Sequence, residues 1–155
     1  MKRLPPQVEE FLAKKSIAVA GVSRDPHQPA NAIFKKLQKG GRRTYAINPN
    51  ASIIEGGNCY PDIASLPEAV EAVMIVTHPK ASTEIVKQCA DAGIKHVWFH
   101  RSFGEGSVSQ EAVRLGEQNG MNCVVGGCPM MFCEPVDFAH RCMRWVLRMQ
   151  KRIPV

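Results

Sequence analysis

From Ser16 onward, short β-branched and apolar runs alternate with longer stretches of helical period, and no other feature of the chain constrains its fold as tightly. Five runs read as strands: Ser16–Ala20, Arg43–Ile47, Ala72–Val76, His96–Phe99 and Asn122–Val125. Each is short and rich in Val, Ile or aromatic side chains, the composition of strands covered on both faces. A strand that is followed by a helix before the next strand returns parallel to its predecessor. The pattern therefore predicts an α/β architecture, a Rossmann-like, doubly wound, five-stranded and mainly parallel sheet flanked by helices. At 155 residues the chain suits one such domain, spanning 1–155.

The helices are marked by apolar spacing and by their ends. An N-terminal helix is expected at Gln7–Lys14. In Ala30–Lys39, Ile33, Phe34 and Leu37 share one side before Gly40 and Gly41 stop the helix. Ser65 and Glu68 have capping-box spacing ahead of a short helix with Pro67 in its first turn, and Ser107 and Gln110 repeat that spacing before a helix ending near Asn119. Another helix runs from Pro79 to Ala92 and ends at Gly93. The last, Val136–Arg148, sets Phe138, Cys142, Trp145 and Met149 on one face as a core-facing stripe, with His140, Arg144 and Arg148 opposite.

Charge narrows the partners. A formal charge of +6 and a pI near 9.1 favour anionic ligands. Aromatics make up only 6% of the chain, and no helix-turn-helix, RNA-stacking or zinc-finger signature accompanies them, so nucleic acid is not expected. Near the amino terminus, Pro5, Pro6, Glu9 and Glu10 interrupt what a leader would need as an apolar run, and no stretch has the length of a membrane span. Six cysteines without a CxxC pair fit free thiols in a reducing cytoplasm. Cytoplasmic localisation and no membrane partner are the expectations.

In a doubly wound sheet, ligands bind beyond the carboxyl ends of the strands, where the strand order reverses. After the first strand come Gly21, Val22, Ser23 and Arg24. Gly21 permits close backbone approach, Ser23 offers a hydroxyl and Arg24 a guanidinium to phosphate, and the following helix presents its N–H groups. An ordinary strand-to-helix turn has the same spacing. The later glycines of GxGxxG are missing, and the second strand ends in Asn48 and Pro49 rather than in an acid, both of which count against NAD. The third strand ends in Thr77, His78 and Pro79, the fourth in His100 and Arg101, the fifth in Gly126, Gly127 and Cys128. His78, His100 and Cys128 are the residues from which a zinc site or a thiol–imidazole pair would be built. Each stands alone on its own loop, so no catalytic residue and no metal ligand is assigned. Cys128 facing the thiol of a coenzyme is a further possibility of this arrangement.

Taken together, IAVAGVSRDPHQPA, LQKGGRRTYAINPN, IIEGGNCYPDIASLPEAVEAVMIV, GIKHVWFH and the cysteine of GGCP resemble the small stand-alone coenzyme A-binding proteins, relatives of the nucleotide-binding domain of the succinyl-CoA ligase alpha subunit. The resemblance runs from about Lys15 to Cys128. It implies that Gly21, Val22, Ser23 and Arg24 hold the phosphates of coenzyme A or an acyl-CoA, that Asn48 and Pro49 border the adenosine, and that Thr77, His78 and Pro79 close the other side. After VWF the chain reads His100, Arg101, Ser102 and Phe103 where these proteins show a glutamine and then a glycine, and Met130, Met131 and Phe132 replace a charged run.

The function implied is a binding, sensor or carrier module for coenzyme A, with a small-molecule nucleotide as cofactor and a homodimer or partner subunit as possible company. Two alternatives stay open. One is an acyl-CoA-handling enzyme or ligase-like subunit, which would need a partner because this chain is too short to hold a phosphohistidine domain or a nucleotide-grasping one. The other is an NAD(P)-binding redox regulator.

Overall fold

A computed structural model describes residues 3–155. Met1 and Lys2, which open the segment read above as lacking a leader, lie outside the described residues. Helix α1 (Pro6–Leu12) leads into β1 (Ser16–Ala20), α2 (Pro29–Lys39) and β2 (Arg43–Ile47). A hairpin of β3 (Ile53–Ile54) and β4 (Gly57–Tyr60) follows. Then come β5 (Ala72–Ile75), α3 (Pro79–Asp91), β6 (His96–Phe99), α4 (Gln110–Gln118), β7 (Asn122–Val125), a 3-10 turn (Pro129–Met131) and α5 (Phe138–Met149).

The sheet runs β3-β4-β2-β1-β5-β6-β7, seven strands among the described residues where five were expected. All five expected strands are present, with β5 one residue shorter, and all pair in parallel. The two additions extend the β2 edge: β4 joins it in parallel, and β3 closes the edge antiparallel. Only two residues of β2 pair with β4, so the added strands are held by short-range pairing that a Gly-rich, polar sequence does not announce.

Alternation along β1 divides the core in two. Ile17 and Val19 face α1 and α2 along with Trp98 and Val124, in the layer that also holds Leu147 of α5, while Ala18 and Ala20 face α3 and α4 along with Val73 and Phe99, in the layer that holds Val86 of α3. Trp98 anchors the first layer: its ring meets Phe11 edge-on at 5.3 Å, and its indole N–H donates to the Gly126 carbonyl at 2.9 Å.

Three local expectations are corrected. No helix forms around Ser65 and Glu68. Ser65 donates from its amide and hydroxyl to Asp62, and Glu68 accepts from Arg43 and Tyr45, so neither is free to close a capping box. For α4 the cap is Ser109, which accepts from the Ala112 amide, whereas Ser107 is buried and donates its own amide to the His100 carbonyl. The third correction concerns α5, whose stripe points outward: Phe138, Trp145 and Met149 are 79%, 67% and 71% exposed, and Cys142 is exposed too. Leu147 supplies the buried contact instead. Of the basic residues expected opposite the stripe, His140 and Arg144 are half-buried, with Arg144 donating to the Met131 carbonyl above the Phe132 ring, whereas Arg148 is exposed at the flank of the stripe.

Candidate functional site

Strand register lines up one rim of the sheet. Ala20 pairs with Ile47 on one side and Ile75 on the other, Ile75 with Phe99, and Phe99 with Val125. The residues that follow, Gly21, Asn48, Val76, His100 and Gly126, therefore emerge in a row. β1 lies between β2 and β5, so the chain winds away from it in both directions, and the order reverses at the β1–β5 boundary.

At that boundary Gly21 adopts φ +102, and a Cβ built on it would lie 2.3 Å from the Val76 carbonyl oxygen. No side chain fits, because the turn after β1 is pressed onto the end of β5. Val22 is buried behind the turn. Ser23 is fixed by Asn31: its amide donates to Asn31 Oδ1 at 2.8 Å, and its carbonyl accepts from Asn31 Nδ2 at 2.7 Å. Ser23 Oγ accepts from the Asp25 amide at 3.0 Å, which leaves its hydroxyl proton free to donate outward. Arg24 is exposed and joins no ion pair among the described residues.

Asn31 escapes a search for phosphate-loop residues, although the sequence carries one signal. It lies three residues before Phe34, so a polar side chain occupies the apolar side of a helix. It is 1% exposed, and Nδ2 also donates to Glu55 Oε1 at 2.9 Å. Hydrogen bonds from Asn31 and Lys35 hold the Glu55 carboxyl below the usual range. The β3–β4 hairpin, which carries Glu55 at its tip, is thereby tied to the turn after β1. Nothing in the sequence foretold that link, because it needs the hairpin to pair with the sheet edge.

The second wall begins at Asn48, whose Nδ2 donates to the Val22 carbonyl at 2.9 Å and whose Oδ1 accepts from the Asn50 amide. Asn48 thus joins the two loops, with Pro49 exposed beside it. On the far side, His78 caps α3 by accepting from the Lys80 amide through Nδ1 at 3.3 Å, and Pro79 opens the helix. Thr77 Oγ1 lies 3.4 Å from Ser82 Oγ, which donates to the Ser107 carbonyl. All nine expected residues therefore cluster along the ends of β1, β2 and β5.

The remaining rim residues behave differently. Burial pulls the His100 imidazole down to about 4, so it stays neutral near pH 7, with Ser102 Oγ 3.5 Å from Nε2. Cys128 is buried in the core layer of α1 and α2, and burial pushes its thiol up to about 12. Its side chain packs into the core rather than standing open to solvent, which counts against it as the partner of a coenzyme thiol. Among the described residues, no three His, Cys, Asp or Glu side chains are grouped to hold a metal ion. A cavity of about 320 Å³ lies between α3 and α4, lined by Thr83, Lys87 and Arg114 among others, and a groove of about 760 Å³ follows α5. Neither is lined by the rim residues.

Comparison with known proteins bears on this rim. The profile of a family described as a CoA binding domain matches residues 15–134. An acetate–CoA ligase (ADP-forming) II of Archaeoglobus fulgidus is 35% identical over 92 residues, covering 58% of this chain and 14% of its own length. The alpha subunit of an acetate–CoA ligase (ADP-forming) II of Pyrococcus furiosus is 26% identical over 128 residues, covering 78% of this chain and 28% of its own. The chain thus spans less than a third of either relative. A hypothetical protein from Pyrococcus horikoshii OT3 superposes with a TM-score of 0.73 at 29% identity, over 83% of this chain and 92% of that one. The dinucleotide-forming acetyl-coenzyme A synthetase 1 of Candidatus Korarchaeum cryptofilum gives a TM-score of 0.66 at 27% identity, over 77% and 27% of the two chains. The profile match runs from the residue before β1 to beyond the 3-10 turn, taking in all of the rim just described, and the chain belongs to the CoA binding domain family.

Proposed function

We propose that the chain binds coenzyme A or an acyl derivative of it at the carboxyl rim of β1, β2 and β5, as a binding, sensor or carrier module. The observation that carries this reading is the convergence, at the point where strand order reverses, of a glycine turn no side chain can enter, a free guanidinium and a hydroxyl with its proton unused. This donor set fits a ligand bearing a pyrophosphate and a further phosphate. Arg24 pairs with phosphate, the Ser23 hydroxyl donates to it, and the α2 amino terminus adds its dipole. Asn48 and Pro49 border the adenosine, and Thr77, His78 and Pro79 form the opposite wall. Coenzyme A, when bound, supplies the thiol that carries an acyl group. What this chain contributes is placement and charge.

The test is a thermal-shift series with coenzyme A, acetyl-CoA, NAD, NADP and ATP, followed by calorimetric titration. At a hundred times its dissociation constant a ligand stabilises the fold by about 2.7 kcal/mol, which for a chain of this size raises Tm by roughly 5–10 °C. Responses to coenzyme A and acetyl-CoA support the reading. A response to NAD or NADP alone overturns it in favour of a redox regulator.

A second reading is favoured by the ligase relatives: the chain acts as the coenzyme-binding part of an assembly whose other subunits carry the acyl and nucleotide chemistry. Co-purification of a larger subunit that restores ADP-forming acyl-CoA ligase activity would select it.

A further inference from the structure

Helix α5 presents an apolar ridge to solvent. Phe138, Cys142, Trp145 and Met149 are spaced four, three and four residues apart, and at about 3.6 residues per turn they fall on the side opposite Leu147, the helix's buried residue. A soluble helix normally turns such a stripe inward. Here it cannot, because α1 and α2 already cover that face of the sheet, and α5 packs on the 3-10 turn instead.

The charges along the ridge from Phe138 to Met149 are of one sign; the exposed Asp137 just before it caps the helix and pairs with His140 at 2.6 Å. The helix contains no Asp or Glu, and Arg141 and Arg148 lie along one side of the stripe, exposed and outside the ion pairs of the described residues. The groove of about 760 Å³ beside the helix extends the apolar surface with Leu4, Ile153 and Pro154. A second copy is a poor occupant. Antiparallel pairing of two such ridges would set Arg141 of one copy beside Arg148 of the other, and like charges in contact oppose association.

Against the expectation drawn from the sequence that there is no membrane partner, we propose that α5 lies in the surface of an anionic lipid bilayer, its apolar ridge in the boundary between headgroups and acyl chains and its arginines on the phosphates. Aromatic and sulfur-containing tips on one side, with flexible guanidinium arms beside them, are what a fluid anionic surface takes up. The attachment is peripheral, since no helix among the described residues is long and apolar enough to cross a membrane.

The two tryptophans make the test direct. Trp98 is fully buried and Trp145 is 67% exposed, so a change in tryptophan emission on binding reports Trp145. The intact chain is mixed with vesicles of phosphatidylcholine alone or of equal parts phosphatidylcholine and phosphatidylglycerol, and both emission and co-sedimentation are read. Expected are a blue shift and co-sedimentation with the anionic vesicles only. The R141E/R148E variant should lower partitioning at least 30-fold, taking about 1 kcal/mol for each surface arginine. W145S should weaken co-sedimentation, and circular dichroism should show both variants folded. Absence of shift and sedimentation at saturating anionic lipid overturns the proposal, as does equal binding to neutral vesicles. A dimer by light scattering whose Trp145 emission is already blue-shifted without lipid overturns it in favour of a second copy.

Discussion

Replacing Gly21 by Ala isolates the close approach on which the rim depends. An L-residue at φ +102 carries a backbone cost of about 1–3 kcal/mol. The new Cβ would stand 2.3 Å from the Val76 carbonyl oxygen, where ordinary contact begins at 3.4 Å, so the end of β5 must retreat by about 1 Å. Reduced freedom of the unfolded chain offsets about 0.4–1 kcal/mol of this. The net expectation is a loss of roughly 2–3 kcal/mol, read as a lower urea midpoint at unchanged m-value and a Tm lower by roughly 5–10 °C. Coenzyme A affinity, measured by calorimetry where the variant is still folded, should fall at least tenfold. Gly41→Ala is the matched control: its φ is +84, but nothing lies within 4 Å of the added Cβ, so it should show the dihedral cost alone and no change in ligand affinity. Equal stability losses in the two variants, with coenzyme binding intact in both, would refute the argument that the β1 turn must touch β5 to form the site.

Three further outcomes are expected. Asn31→Ala removes three hydrogen bonds from a buried side chain, and at about 0.5–1.5 kcal/mol each it should destabilise by roughly 2–3 kcal/mol and weaken coenzyme binding; unchanged urea and titration curves would show that the turn holds itself. His100 has its folded pKa depressed to about 4 from an ordinary 6.5, so the unfolded chain binds the extra proton between these values and stability falls as pH drops through that window, by up to about 3 kcal/mol. His100→Gln should flatten this part of the urea-midpoint profile, and an identical slope in wild type and variant would contradict the assignment; His96, also depressed by burial, contributes its own share. Alkylation of the native protein near neutral pH should label Cys142, which is exposed, and spare Cys89 and Cys128, whose thiols burial pushes up to about 12. Mass spectrometry of the peptides reads this, and rapid labelling of Cys128 would contradict its burial.

Much of the architecture was legible because buried parallel strands advertise themselves. Apolar runs such as Ile17–Ala20 and Val97–Phe99 have no other soluble explanation once helices separate them, and knowing the strands means knowing which residues follow them. Gly21, Asn48 and Thr77 could therefore be placed on one rim from chain order alone. What the sequence could not settle was anything that depends on which surface is already occupied. The 4-3-4 spacing of Phe138, Cys142, Trp145 and Met149 marks one face of a helix, but whether that face turns inward depends on α1 and α2 having filled the layer first. Asn31 reads as a helix residue until the fold brings the Ser23 loop and Glu55 to it, and Glu68 reads as a cap until Arg43 and Tyr45 reach it from a neighbouring strand. Periodicity and chain order act over a few residues and were enough for the sheet and its rim. The outward ridge, the buried Cys128 and the Asn31 brace arise from contacts between segments distant in sequence, and only the assembled tertiary structure decides those.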